Sequence, residues 1–143
     1  MAQHDPLDLK RFVDAQESSY ESALAELRQG RKQTHWMWFI FPQLRGLGRS
    51  STAQYYGLSS LAEARAYLDH PILGQRLDAA TVAATNAPAR SLNALFGSPD
   101  DMKFKSSMTL FERAAKTPDN VFALALDKWC GGQRDTATLQ LLA

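Results

Sequence analysis

Apolar residues recur along most of this chain at intervals of three and four, the spacing that gathers them on one side of a helix. The first such run carries Phe12, Val13, Tyr20, Leu24 and Leu27. It can begin at Asp5-Pro6 or at Asp8 and meets Gly30, so one long first helix is expected. Ser60 and Glu63 have the spacing of a capping box in front of Ala64, Tyr67 and Leu68. His70-Pro71 ends that helix and opens another, with Leu73, Leu77, Val82 and Ala83 as its apolar side and Pro88 beyond its end. Residues 91–96 read as a short helical turn capped by Ser91 and closed by Gly97. Ser98-Pro99-Asp100-Asp101 reads as a helix start: a serine cap, a proline in first position and two carboxylates where they complement the helix dipole. Phe104, Met108, Leu110, Phe111 and Ala115 supply its apolar side. Thr117-Pro118-Asp119 repeats the device before Val121, Phe122, Leu124, Ala125 and Trp129, and Gly131-Gly132 stops that helix. Asp135 or Thr136 caps a last short helix reaching Leu142.

One stretch resists the pattern. Thr34-His35-Trp36-Met37-Trp38-Phe39-Ile40-Phe41-Pro42 is apolar on every side. As a strand followed by a glycine-rich turn it would suggest a nucleotide-binding α/β fold. Between Trp36 and Phe41 only Ile40 is β-branched, however, and no other segment reads as the buried strand a parallel sheet would need. With Thr34 as cap and Pro42 as stop, it reads as a short helix buried in the core. The expected fold is all-α: one compact domain over residues 1–143, with about seven or eight short helices.

Composition agrees with one folded domain. A chain of 143 residues buries roughly 68–70% of its unfolded surface, enough to hold without staples. It is 45% hydrophobic and 22% charged, the balance of a globular domain and not of a disordered chain. The single cysteine, Cys130, excludes an internal disulfide and a cysteine-rich zinc site, and no cation-plus-histidine arrangement adjoins it, so it is expected to be inert. The three histidines, His4, His35 and His70, lack paired helical spacing, so neither a metal nor any other cofactor is expected. His70, at a helix junction, reads as structural. The longest apolar run is too short for a bilayer, and Met-Ala-Gln-His-Asp-Pro at the start lacks the layout of a signal peptide. A cytoplasmic location without membrane contact is expected.

The net charge of +1 conceals a split. Residues 27–62 contain Arg28, Arg31, Lys32, Arg45 and Arg49 and no acid, which makes +5. Elsewhere 11 basic residues face 15 acidic ones, which makes −4. The acid-free stretch runs on from the aromatic segment into Gln43-Leu44-Arg45-Gly46-Leu47-Gly48-Arg49-Ser50-Ser51. Glycines let backbone N–H groups approach a ligand, and arginines pair with phosphate or carboxylate. A serine can cap a following helix whose start attracts anions. The text is neither a P-loop nor a Gly-x-Gly-x-x-Gly fingerprint, since the glycine spacing and the lysine are missing from the first and Ser51 replaces the third glycine of the second. A plain turn with solvated arginines is the competing reading. Two later segments add candidates. Lys105, Ser106 and Thr109 share one quadrant of a helix, where hydroxyls serve either close packing or a polar lining. Asp127 to Thr138 contains Asp135, a cap by its spacing to Thr138. Neither a nucleophile elbow nor a Ser-x-x-Lys pair is present.

Three groups of residues also carry a resemblance. They are the His35–Ser50 block with Leu9, Phe12, Ala15 and Gln16 before it; Ala64-x-x-Tyr67-Leu68-x-His70-Pro71-x-Leu73-Gly74-x-Arg76-Leu77; and Phe96-Gly97-x-Pro99-Asp100-Asp101-x-Lys103 with Ser106 to Phe111 and Asp135-x-x-Thr138-Leu139. Over nearly its whole length the chain resembles the bacterial and fungal family called domain of unknown function 1810, without departure from its pattern. The resemblance implies a small all-helical cytoplasmic protein and no particular activity. Proteins of this kind sometimes carry the label calpastatin-like. A calpastatin-type inhibitor is a disordered polar chain, whereas this one has the apolar content and helix caps of a chain that folds alone.

Three functions fit these residues. The first is a binder of, or enzyme for, an anionic small molecule, nucleotide-like or ADP-ribose-like. Its ligand would meet Trp38, Gln43, Arg45, Gly46, Gly48, Arg49 and Ser50 together with Lys105 and Ser106. Trp38 would stack on a base and the arginines would take phosphates. If catalytic, it would use His35 as acid or base, oriented by Asp101 or Asp135, for hydrolysis or group transfer. The second is a non-catalytic module contacting RNA or a partner protein, although +5 is modest and no RNA-binding motif is present, which argues against nucleic acid. The third is a purely structural or regulatory helical domain that dimerises through exposed aromatics, as a homo-oligomer.

Overall fold

A computed structural model describes residues 5–143, so His4 lies outside the described residues. Among the described residues ten α-helices follow one another: α1 (Lys10–Glu17), α2 (Tyr20–Gln29), α3 (Met37–Ile40), α4 (Ser51–Tyr56), α5 (Leu61–Asp69), α6 (Leu73–Thr85), α7 (Leu92–Phe96), α8 (Asp100–Ala114), α9 (Val121–Cys130) and α10 (Thr136–Leu142). A 3₁₀ turn spans Arg45–Leu47. The fold is all-α, as the periodicity predicts. The described residues include no strand, only an isolated parallel bridge between Leu44 and Leu58.

Helix α8 is the axis of the molecule. It buries Phe104, Met108, Leu110, Phe111 and Ala114 against α9, α5, α7 and α10. The aromatic segment 36–41 meets it from the side: the Phe41 ring stands edge-on to Phe104 with centroids 5.0 Å apart, and Phe96 stacks on Phe104 at 4.8 Å. Such pairs add about 0.5–1.5 kcal/mol each beyond the area they bury. The segment is central to the core, as its apolar content requires, through Trp36, Met37, Ile40 and Phe41; Trp38 and Phe39 are only partly covered. Its start differs from expectation. The Thr34 hydroxyl does not cap α3 but donates to Glu26 at 2.6 Å.

Other local expectations are redrawn. The single first helix is two, broken at Ser18-Ser19, because α1 packs on α3 while α2 packs on α6. Of the Ser60–Glu63 box one half forms: Ser60 Oγ accepts from Glu63 N at 3.1 Å, while the Glu63 carboxylate turns to the Ser59 N–H and hydroxyl. Ser98 and Thr117 cap nothing. Pro99 itself holds the cap position of α8, and Asn120 caps α9 by accepting from Ala123 N at 2.9 Å. Each helix starts later than its proline suggested. On α6 the buried side is Leu73, Leu77, Ala80, Thr81 and Ala84, which leaves Val82 exposed. Gly30 ends α2 with φ +85, and Gly131 ends α9 in the left-handed conformation, where a residue without Cβ fits. Asp135 caps α10 by accepting from Thr138 N at 3.0 Å.

Two buried carboxylates tie the helices together. Glu63 pairs with Arg11 at 3.0 Å, and that guanidinium also donates to the carbonyls of Leu7, Asp8, Tyr55 and Gly57. Glu26 accepts from Gln33 N, Thr34 N, the Thr34 hydroxyl and the Trp36 indole. Burial pushes both carboxyls up, but the hydrogen bonds outweigh it and hold each below the ordinary glutamate value.

Candidate groove beside the Gly/Arg/Ser turn

The turn after the aromatic segment folds back on itself. The Arg45 N–H donates to Leu58 O at 2.8 Å, and the Leu58 N–H donates to Gln43 O at 3.0 Å. Ser50 Oγ accepts from Ala53 N, which fixes the start of α4. Gly48 is needed for closeness, not for conformation: a Cβ there would sit 2.3 Å from the Ala53 Cβ. This packing lays residues 47–50 beside the first turns of α8 and the start of α10. Between them runs a groove of about 430 Å³, walled by Gln43, Gly48, Arg49 and Ser50 on one side and by Lys103, Ser106 and Asp135 on the other.

The expected site residues part company here. Gln43, Gly48, Arg49, Ser50, Ser106 and Asp135 line the groove. Arg45 does not; its guanidinium donates to Gln54 O at 2.9 Å and Gly57 O at 3.0 Å. Gly46 faces the Leu141 side chain. Trp38 lies beneath the groove wall, with the Lys103 ammonium 5.2 Å from the centroid of its ring. Lys105 is half-buried outside the groove, and its carbonyl accepts from the Thr109 hydroxyl. Asp101 accepts from Asn93 Nδ2 at 3.2 Å and from the Met102 N–H at 2.8 Å. His35 is exposed, is not among the groove residues, and shares no hydrogen bond with Asp101 or Asp135 in the described residues.

Lys103 is the groove cation that the candidate set lacks. Its spacing of three from Ser106 on α8 was the available signal, since residues three apart share a helix face. Arg49 enters no ion pair among the described residues, and Lys103 lies 3.6 Å from Asp100, a carboxylate held closer, at 2.9 Å, by Lys32. The one carboxylate on the groove wall, Asp135, is engaged with the N–H and hydroxyl of Thr138. Ser106 donates to Met102 O.

The acid-free stretch does not act as one basic patch. Lys32 is buried against Asp100 and the Trp36 ring, and Arg45 is spent on backbone carbonyls, so the five cations are not presented together. A larger open hollow of about 930 Å³ lies elsewhere, between the α5–α6 junction and the α8–α9 connection. His70 borders it and is structural there: its Nδ1 accepts from Ile72 N and Leu73 N. Burial raises the carboxyl of Asp78 on the same wall. Among the described residues no three acid, histidine or cysteine side chains are placed to hold a metal ion. No helix of the described residues is long and apolar enough to cross a membrane.

A small all-helical domain with a cation-lined groove beside a glycine turn is the class these features define. The chain belongs to the family described as protein of unknown function (DUF1810), which matches residues 6–142. It is similar to the crystal structure of the conserved hypothetical protein Rv1873 from Mycobacterium tuberculosis. The two share 54% identity and superpose with a TM-score of 0.93 over 96% of this chain and 98% of that one. No match is found among curated proteins.

Proposed function

We propose that the groove binds a small phosphate-bearing anion, nucleotide-like or ADP-ribose-like. The observation that carries this reading is that Arg49 and Lys103 both line a groove where, among the described residues, the one wall carboxylate is already engaged in capping α10. An anion entering there meets two cations, the Ser50 hydroxyl and the Gln43 amide, against the single charge of Asp135, whose carboxylate is turned to the Thr138 N–H and hydroxyl. Guanidinium and ammonium bonds to phosphate are charge-assisted and roughly twice as strong as neutral ones. The volume of about 430 Å³ falls in the usual range of about 300–1,000 Å³ for small-ligand sites. The reading is one of binding. Acid–base catalysis by His35 would need the ring to swing to the groove, and no carboxylate orients it.

Thermal unfolding with pyrophosphate, ADP-ribose and ATP, against a neutral sugar, tests this. Ligand at about 100 times its Kd stabilises by about 2.7 kcal/mol. That is a rise in Tm of several degrees, at about 2–4 °C per kcal/mol for a chain approaching 150 residues. Arg49→Ala is expected to abolish the rise. Equal stabilisation of both proteins, or none by any anion, overturns the reading.

A further inference from the structure

Of the three tryptophan N–H groups, two are satisfied. Trp36 Nε1 donates to Glu26 at 3.0 Å, and Trp129 Nε1 donates to Ala84 O at 2.9 Å. Trp38 Nε1 is buried and has no partner among the described residues. Buried donors are paired in folded proteins as a rule, so an orphan asks for an acceptor from outside the chain. Trp38 lines a small enclosed niche with Met37, Phe41, Gln43, Tyr56 and Lys103. Its free volume is about 10 Å³, the room one oxygen atom or one water needs. Gln43, Ala53 and Lys103 line both this niche and the groove, so the two spaces adjoin.

The polar groups around the niche are mostly donors. An indole N–H and an ammonium can only donate, and the Gln43 side chain makes no hydrogen bond within the described protein and can turn its NH₂ inward. Of the other walls, the Tyr56 hydroxyl can donate as well as accept, the Gly57 carbonyl is already taken by Arg11 and Arg45, the Met37 sulfur accepts only weakly, and Phe41 offers no acceptor. Such a niche suits an atom that only accepts and carries negative charge. It has no room for a base or sugar.

We infer that the niche is a subsite for one non-bridging phosphate oxygen, which receives the Trp38 N–H and contacts Lys103 and Gln43. This rests on the anion-binding reading of the groove and assigns the orientation of the ligand within it. The phosphate points inward past Lys103, and the remainder of the ligand lies outward along Arg49 and Ser50. Trp38 therefore acts through its N–H and not by stacking on a base.

Nuclear magnetic resonance of protein labelled with ¹⁵N tests this directly, because the three indole N–H groups give three separate signals. Trp38→Phe assigns the Trp38 signal, and should that variant fail to fold, Lys103→Met identifies it by the change at its nearest indole. Titration of the unmodified protein with inorganic pyrophosphate is expected to move the Trp38 indole signal downfield and saturably, while Trp36 and Trp129 stay in place. Lys103→Met is expected to weaken pyrophosphate binding about tenfold in calorimetry. If the backbone signals of Gly48, Arg49 and Ser50 respond while the Trp38 indole does not, the subsite is refuted and the groove reading stands. A Trp38 indole that exchanges magnetisation with water but ignores pyrophosphate shows a structural water only, and also overturns it. If no signal responds to any phosphate, both proposals fall.

Discussion

The Trp36 indole donates to the Glu26 carboxylate at 3.0 Å, and through that bond the end of α2 fixes the entrance to the aromatic segment. The same carboxylate accepts from Gln33 N, Thr34 N and the Thr34 hydroxyl. Everything that faces it is a donor. Glu26→Gln keeps the volume but points an NH₂ at N–H groups, so one or two donors lose their acceptor. The expected cost is about 2–3 kcal/mol by urea unfolding, near the upper end for an unsatisfied buried group. The variant is expected to keep its far-ultraviolet helix signal while the environment of Trp36 changes.

Acid should unfold the protein through the same residue and Glu63. Both carboxyls are held below their ordinary value of 4.5 in the folded state: burial opposes ionisation, and the hydrogen bonds from Thr34, Gln33 and Trp36, or from Ser59 and Arg11, win. A depressed carboxyl pKa contributes stability that is complete above the unfolded value and is lost as pH falls through the folded one. Stability is therefore expected to be level near neutrality and to fall from about pH 5 downward. Glu26→Gln removes one of the two groups and should flatten the decline. An unchanged slope in that variant would show that Glu26 does not contribute.

Helix content was legible in the sequence because it follows from spacing alone, and the spacings of Phe104, Met108 and Phe111 or of Leu73 and Leu77 are carried by single faces. The helix ends were less legible. Ser98 and Thr117 look like caps, but a serine caps only where the backbone places it immediately before the first turn, and here Pro99 and Asn120 occupy those places. The candidate site was half legible. Gln43, Gly48, Arg49 and Ser50 stand together in sequence and in space, and Ser106 and Asp135 join them. The charge pattern misled for Arg45 and Lys32, because a run without acids says nothing of long-range partners: Asp100 is far away in sequence, and a carbonyl carries no mark in composition. Glu26 and Arg11, which hold the fold, look like ordinary surface residues of α2 and α1 until their partners are seen.

Arg11 and Glu63 should be unequal partners. Removing Glu63 leaves a guanidinium that still donates to the carbonyls of Leu7, Asp8, Tyr55 and Gly57. Removing Arg11 leaves a buried carboxylate with only the Ser59 N–H and hydroxyl as donors. It also strips the side-chain donor from the Leu7 and Tyr55 carbonyls, while Gly57 O keeps Arg45 and Asp8 O keeps the backbone N–H of residue 11. Breaking a buried pair from one side costs about 3–5 kcal/mol. Arg11→Met is expected at or above the top of that range and Glu63→Gln below it, by equilibrium unfolding. The reverse order would show that the ion pair, and not the carbonyl bonds, dominates.

Gly48→Ala should act on the groove through packing. Its new Cβ would meet the Ala53 Cβ at 2.3 Å, so α4 must move away from the turn. Overpacking of this kind costs about 1–3 kcal/mol. Pyrophosphate binding is expected to weaken as Ser50, at the cap of α4, moves with it. The double variant Gly48→Ala, Ala53→Gly removes the clash and should restore both stability and binding. Restoration of stability without binding would place the effect elsewhere than in the wall geometry.

The two arginines of the turn should separate cleanly into structure and binding. Arg45 donates to Gln54 O and Gly57 O and ties the start of the 3₁₀ turn to the end of α4. Arg49, four residues on, makes no hydrogen bond or ion pair within the described protein and faces the groove. Arg45→Ala is expected to lower stability by about 1–3 kcal/mol, the cost of orphaned acceptors. Its affinity for pyrophosphate, measured well below its Tm, should stay within about threefold of the unmodified protein, since the charge it removes is outside the groove. Arg49→Ala is expected to leave stability within about 0.5 kcal/mol, as exposed substitutions do. It should lose the ligand-induced rise in Tm, and the salt dependence of binding should fall with it, because one cation fewer meets the phosphate. If Arg45→Ala instead abolishes binding at unchanged stability, the groove is not where the anion sits.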